Sequence, residues 1–200
     1  MVDIQSMLQK QELADAEIEE KMGIDSLRVV SYRVMSVINN TSKCMDIWNG
    51  FRYWRSQNRS VLWGDIFSFC EDCEGINPGY CKNPNCRNGF EYDRSILNAY
   101  IEGLAFVLGL CNDFGVKDVQ YVTVKNDTVG SWFMKVYRLA AELEEKEDAD
   151  VAELLLLTYL GLGEMLGLPL EIIEEEFGEQ VKYLLLDDSE DDDEYDITFI

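Results

Sequence analysis

The sequence contains no histidine among its 200 residues. Any general base or metal ligand must therefore come from another residue type. It also lacks an uninterrupted apolar stretch of the roughly 18–20 residues that a membrane span needs. Residues 1–20 are acidic and amphipathic, which is not the pattern of a signal peptide. We therefore expect a cytoplasmic protein that does not enter a membrane.

Positive charge is scarce, since 17 Lys and Arg stand against 39 Asp and Glu, giving a net charge of -22. Residues 141–200 alone hold 21 acidic and two basic residues, which leaves 18 acidic and 15 basic residues in the first 140. Nonspecific nucleic-acid binding needs clustered Lys and Arg, so we expect no direct nucleic-acid binding. The acidic C-terminal third favours a basic protein partner, or serves solubility alone.

Helical periodicity dominates the chain, and only residues 119–124 suggest a strand. The first helix is predicted over residues 4–22, with Gly23 beyond its end. Its apolar residues fall roughly on one face: Ile4, Met7, Leu8, Leu13 and Ile18. Further helices are predicted from about 25 to 47, 96 to 112, 129 to 145, 151 to 166, and from Pro169 to about 186. These elements predict an all-α helical bundle.

Composition divides the chain into three parts. Residues 57–93 lie in a stretch that is rich in Cys, Gly, Asn and Pro and lacks helical periodicity, so we treat them as an insert. Residues 1–56 and 94–186 then form the bundle, and residues 187–200 form an acidic tail.

The insert carries four cysteines in the pattern Cys-x2-Cys-x7-Cys-x4-Cys, within a stretch where glycines permit tight turns. Four thiolates at such spacing predict a closed, structural Zn²⁺ site of the zinc-knuckle type. The alternatives are reduced surface thiols or an oxidised pair. The predicted ligands are Cys70, Cys73, Cys81 and Cys86. Cys44 and Cys111 fall on apolar helix faces and are expected to be buried thiols.

The tail has eight acidic residues among residues 187–196 and then the apolar tip Ile197-Thr198-Phe199-Ile200. Acidic runs of this kind are usually solvated. The combination resembles the protein-docking tail of bacterial single-stranded-DNA-binding proteins. A solubilising tail, or a tail packed on its own domain, is the alternative.

Four blocks follow one another along the chain: QELADAEIEEKMGID, GFRYWRS at 50–56, AYIEGLAFVLGL at 99–110 and YLGLGEMLGLPLEIIEEEF at 159–177. In this order they resemble successive blocks of the all-α dimeric dUTPases, within the all-α nucleoside triphosphate pyrophosphatases. The resemblance implies that the bundle has the fold of that superfamily and that the protein is a homodimer. It also implies a site in which two facing helices each carry a pair of carboxylates that bind Mg²⁺.

This sequence departs from the family where the catalytic metal should bind. The first carboxylate pair should fall at 40 and 43, with a further Glu at 47, and the second pair at 99 and 102. The chain instead has Asn40, Lys43, Ile47, Ala99 and Glu102. The formal charges of Asn40, Lys43, Ala99 and Glu102 sum to zero, so Mg²⁺ binding is not expected. We expect Lys43 to pair with Glu102 across the two helices.

Some positions of the family's nucleoside pocket are retained, namely Gln11, Asp15, Trp48 and Trp54, although such residues also serve packing. The resemblance thus predicts a catalytically inactive dUTPase-like protein that binds a protein partner. A phage-encoded regulator or inhibitor of a host factor, acting in the host cytoplasm, is one form of this function. The alternatives are an active Mg²⁺-dependent dUTP or nucleoside triphosphate pyrophosphatase with rearranged ligands, and a nucleotide sensor that does not hydrolyse.

Overall fold

The computed structural model describes residues 3–23, 29–52, 90–121 and 128–186. Those residues form six α-helices and no strand, which confirms the all-α class. The helices are α1 (Ile4–Met22), α2 (Val29–Trp48), α3 (Phe90–Asp113), α4 (Val129–Lys146), α5 (Ala149–Met165) and α6 (Leu170–Leu186).

Both ends of α1 are fixed by local hydrogen bonds. The Asp3 side chain accepts a bond from the backbone N–H of Ser6 at 2.9 Å, which satisfies one of the free donors of the first turn. Gly23 has a φ of 60° and donates its N–H to the Glu19 carbonyl. Because glycine adopts this left-handed conformation without steric cost, it ends the helix where the sequence predicted.

The buried face of α1 differs from the predicted one at a single position. Leu13 is 64% exposed, so its assignment to the buried face was wrong. Ala14, one residue later, is fully buried, and Gln11 is also buried. A helix advances 100° per residue, so an error of one position is enough to turn a side chain from the core toward solvent.

The other helices agree with the sequence to within a few residues, except at the start of α3. That helix begins at Phe90, four residues inside the predicted insert 57–93. Residues 119–121, at the start of the suggested strand, are irregular, and 122–127 lie outside the described residues. The start predicted for the second helix, at residues 25 and 26, also lies outside them.

Helix α3 is central to the bundle, since it packs against α1, α2, α5 and α6. From residue 96 onward it is buried on nearly every side, and Ile96, Tyr100, Leu104 and Leu108 have no exposed surface. A helix that is apolar around its circumference is expected to be interior.

Two tyrosines, one on each helix, connect α3 and α5. Tyr100 donates its hydroxyl to the Tyr159 carbonyl at 3.0 Å, and Tyr159 donates to the Tyr100 carbonyl at 3.2 Å. The rings stack with centroids 4.9 Å apart. A Cβ at Gly103 would overlap the Tyr159 hydroxyl, and a Cβ at Gly163 would lie 2.5 Å from the Tyr100 hydroxyl. Glycine at these positions therefore lets each ring lie against the facing helix.

Residues 57–89 of the predicted insert, which include its four cysteines, lie outside the described residues, as do Trp54 and the acidic tail. Among the described helices, none is by itself long and apolar enough to cross a membrane, and α5 with Leu170–Lys182 meets that test only as a pair bent by 115°.

Candidate functional site

Helices α2 and α3 face each other, and the positions at which the resemblance places the catalytic carboxylates lie along this contact. Asn40 and Ala99 are buried in it, whereas Lys43 and Glu102 are at its edge. Ile47 is half-buried and packs against the apolar core. The structure thus brings residues from both predicted pairs to one interface.

Lys43 donates a hydrogen bond from Nζ to Glu102 Oε2 at 3.3 Å, which confirms the ion pair expected from the sequence. The two side chains are 49% and 30% exposed. A solvated pair of this kind contributes at most about 1 kcal/mol to stability, so it does not explain the fold. Its relevance is chemical, because an ammonium group lies beside the one carboxylate among the four positions.

Asn40 is buried within this interface. It is 3% exposed, and its Oδ1 has no hydrogen-bond partner among the described residues. A Cβ at Gly103 would lie 3.2 Å from the Asn40 Cβ, so α2 and α3 approach closely here. A buried neutral amide at position 40 adds no charge with which to attract a cation.

A second polar cluster, which the sequence analysis missed, surrounds Arg33. Its side chain is 7% exposed, and the guanidinium group contacts carboxylates from two other helices. Nη2 lies 3.1 Å from Asp15 Oδ2 and 3.5 Å from Glu19 Oε1, both on α1. Nη1 donates to both carboxylate oxygens of Asp113 on α3, at 3.1 Å each. Three carboxylates around one guanidinium leave the cluster with a formal charge of -2.

A signal for this cluster was present in the sequence. Arg33 occurs at helical spacing with Val30, Val34 and Val37, on the apolar face of α2, where an arginine requires partners. The sequence does not show which acidic residues pair with Arg33, because Asp113 is 80 residues away along the chain. A Cβ at Gly109 would lie 2.6 Å from Arg33 Nη1, so the glycine makes space for the guanidinium group.

Burial raises the pKa of the Asp15 carboxyl, and Arg33 and Gln11 oppose this change. Burial likewise raises the pKa of Asp113, again opposed by Arg33. Gln11 is buried and donates from Nε2 to Asp15 Oδ1 at 2.8 Å. Gln11 and Asp15, two of the predicted pocket positions, are thus brought together, and in this chain they hold Arg33.

Trp48 lies elsewhere in the molecule. It is fifteen residues beyond Arg33 on α2, which corresponds to about 22 Å along the helix. Its ring packs against Phe133 at a centroid distance of 5.5 Å. Trp48 Nε1 and Asn49 Oδ1 are buried without a hydrogen-bond partner among the described residues. One chain therefore does not gather the predicted pocket residues at a single place, and their role in binding stays a prediction.

The two helical cysteines are buried, as expected. The Cys44 thiol points to the Ile96 carbonyl at 3.8 Å, and the Cys111 thiol to the Ala152 carbonyl at 3.5 Å. Burial raises the pKa of each thiol to about 12. These are inert core thiols.

No group of three or more Cys, Asp or Glu side chains within the described ranges is arranged to hold a metal ion. Comparison with known proteins gave no similarity to report, since no family model, curated protein or solved structure matches the chain.

Proposed function

We propose that this protein is a dUTPase-like, all-α homodimer that does not hydrolyse dUTP and acts by binding a protein partner. The observation that carries the proposal is the Lys43–Glu102 ion pair, because it lies at the α2–α3 contact where the resemblance implies a magnesium centre. A phage-encoded regulator of a host factor would have this character.

The physical argument concerns charge. Mg²⁺ is bound through anionic and neutral oxygen atoms. A divalent ion 4 Å from the Lys43 ammonium would be repelled by about 8 kcal/mol at an effective dielectric constant near 20. Rotation of Lys43 into solvent would remove this repulsion but would leave Glu102 as the only carboxylate among the four positions. One carboxylate does not gather the ions that phosphate-chain chemistry uses.

The catalytic part of the proposal is tested by incubating the protein with dUTP and Mg²⁺ and measuring pyrophosphate. We expect no release above the protein-free rate, and release would overturn this part.

A thermal-shift experiment with Mg²⁺ alone compares two variants at the exposed position 43. Lys43→Glu places two carboxylates across the interface and should gain a Mg²⁺-dependent rise in Tm. Lys43→Gln removes the ammonium without adding a ligand and should not.

A non-hydrolysing nucleotide sensor is the second candidate, favoured by the polar atoms of Trp48 and Asn49 that have no hydrogen-bond partner within the described part of the chain. An indole N–H and an amide oxygen beside an aromatic ring could bind a nucleobase. Isothermal titration with dUMP and dUTP separates this candidate from the first, since only a sensor gives saturable heat. Loss of that heat in Trp48→Phe would locate the site.

Partner binding is supported by the uneven charge, because residues 141–200 carry a net charge of -19. Affinity capture from host lysate, with the full chain beside a chain ending at Leu186, tests whether the acidic tail contributes. Light scattering of the purified protein measures the expected dimer.

A further inference from the structure

The α4–α5 tip is the most acidic described part of the molecule. Helix α4 ends at Lys146 and α5 begins at Ala149, so the chain reverses within two residues. Residues 142–153 contain seven acidic side chains and one basic side chain. The acidic residues are Glu142, Glu144, Glu145, Glu147, Asp148, Asp150 and Glu153.

Part of this negative charge opposes helix stability. Glu142, Glu144 and Glu145 lie in the last two turns of α4, where the helix dipole favours cations. Lys146, in the last turn, bonds to Glu142 at 2.6 Å. Glu147 has a φ of 51°, a conformation that glycine adopts more readily. Apart from the Glu142–Lys146 pair, the negative charge at this end of α4 therefore does not stabilise the helix.

The acids at the start of α5 have a structural role of their own. The Asp148 side chain accepts a hydrogen bond from the Asp150 N–H at 2.8 Å and caps the helix. Negative side chains at a helix N-terminus are also stabilised by the dipole. The acidic residues that helix stability does not account for are therefore those at the C-terminal end of α4.

Beside these acids, α5 has one exposed leucine and one partly buried leucine. Leu154 is 49% exposed, and Leu157 is only partly buried. Asp150, Leu154 and Leu157 are spaced i, i+4 and i+7 and so share one face. Helix α5 packs against α3 and α4, and this face points away from that core.

We propose that this outward face of α5, together with the acidic α4–α5 tip, docks a basic amphipathic helix of a partner protein. The inference rests on the protein-binding part of the proposed function and assigns it a surface. Leucines between acidic side chains match a helix with one apolar stripe flanked by Lys or Arg. A second copy of the same face, an anionic membrane and a nucleic acid are all negatively charged, so this acidic surface would repel each of them.

An exposed apolar pair on another helix supplies a contrast. Tyr32 and Met35 on α2 are 66% and 62% exposed. No acidic residue lies among the α2 residues 29–39 that surround them. This face exposes more apolar surface than the α5 face but lacks the complementary charge, so it serves as the control surface.

The test uses two synthetic Lys/Leu peptides of identical composition. In one the leucines repeat at helical spacing, and in the other they are scrambled. Titration should show the intact protein binding the amphipathic peptide at least roughly tenfold more tightly, since only that peptide buries leucine against leucine. Leu154→Ser should remove this preference, and Met35→Ser should retain it. Glu144→Gln with Glu145→Gln, at exposed positions of the α4 end, should weaken both peptides and reduce the salt dependence of binding.

Equal affinity for the two peptides would overturn the inference, and so would an equal effect of Leu154→Ser and Met35→Ser. A concentration-dependent dimer that Leu154→Ser abolishes would also overturn it, because a second copy would then occupy the face. These outcomes do not bear on catalysis. Conversely, pyrophosphate release from dUTP would overturn the proposed loss of activity without affecting the peptide result.

Discussion

At the scale of single residues, Arg33 shows how a buried charge is accommodated. Its guanidinium group connects Asp15 and Glu19 on α1 to Asp113 on α3. The Arg33 side chain is 7% exposed, so removing the carboxylates around it would leave a buried charge without partners and destabilise the fold. The network therefore fixes the position of α1 against α2 and α3.

The cluster predicts a specific pH dependence of stability. Burial raises the folded-state pKa of Asp15 and Asp113 above the unfolded value of 3.8, so the folded state takes up protons first as the pH falls. The free energy of unfolding should therefore increase as the pH falls from neutrality toward the raised pKa values. Asp113→Asn should show a smaller increase in urea titrations at pH 7 and pH 5.

The control for that experiment is Glu144→Gln, which removes one negative charge from an exposed position. It tests the general effect of lowering the repulsion within a chain of net charge -22. Equal pH dependence in Asp113→Asn and Glu144→Gln would contradict the assignment to the Arg33 cluster.

The buried thiols give a second prediction at this scale. Cys44 and Cys111 have no exposed surface, and their pKa values are raised to about 12. Since the thiolate is the reactive form, neither should react with an aromatic disulfide reagent in the native protein at pH 8. In a variant with the four insert cysteines replaced by serine, two thiols per chain should appear only on denaturation. Met35→Cys in that variant is the exposed control and should react at once.

At the scale of elements, the α3–α5 contact depends on glycine. Gly103→Ala would place a methyl group against the Tyr159 hydroxyl, which is itself hydrogen-bonded. We expect the free energy of unfolding to fall by about 1–3 kcal/mol, as is usual for overpacking. Urea titration followed by circular dichroism measures this change.

Gly178→Ala on α6 is the matched control for Gly103→Ala. The nearest atom to a Cβ there is the end of the Lys10 side chain, at 3.6 Å, which is ordinary contact. This variant should gain up to about 1 kcal/mol of helix propensity. If both substitutions raised stability, the close approach of α3 and α5 would not be the reason for Gly103.

At the scale of the whole molecule, the described helices bury an apolar core. The zinc site of the cysteine insert is a separate prediction. We expect purified protein to contain about one zinc per chain, measured by elemental analysis. A zinc content under roughly half an equivalent would contradict the four-thiolate site. A chelator should remove the metal while Cys44 and Cys111 stay protected, because their burial belongs to the helical core.

The sequence by itself determined the helical class and most helix limits, because apolar spacing and caps such as Gly23 are local properties. It also determined the charge at positions 40, 43, 99 and 102, and the Lys43–Glu102 pair was expected because the family resemblance implies that these two helices face each other. Only the tertiary structure decided which carboxylates surround Arg33, that Leu13 faces solvent, and that Leu154 is exposed beside the acidic tip. These depend on how helices distant in sequence pack, and helical periodicity does not specify that packing.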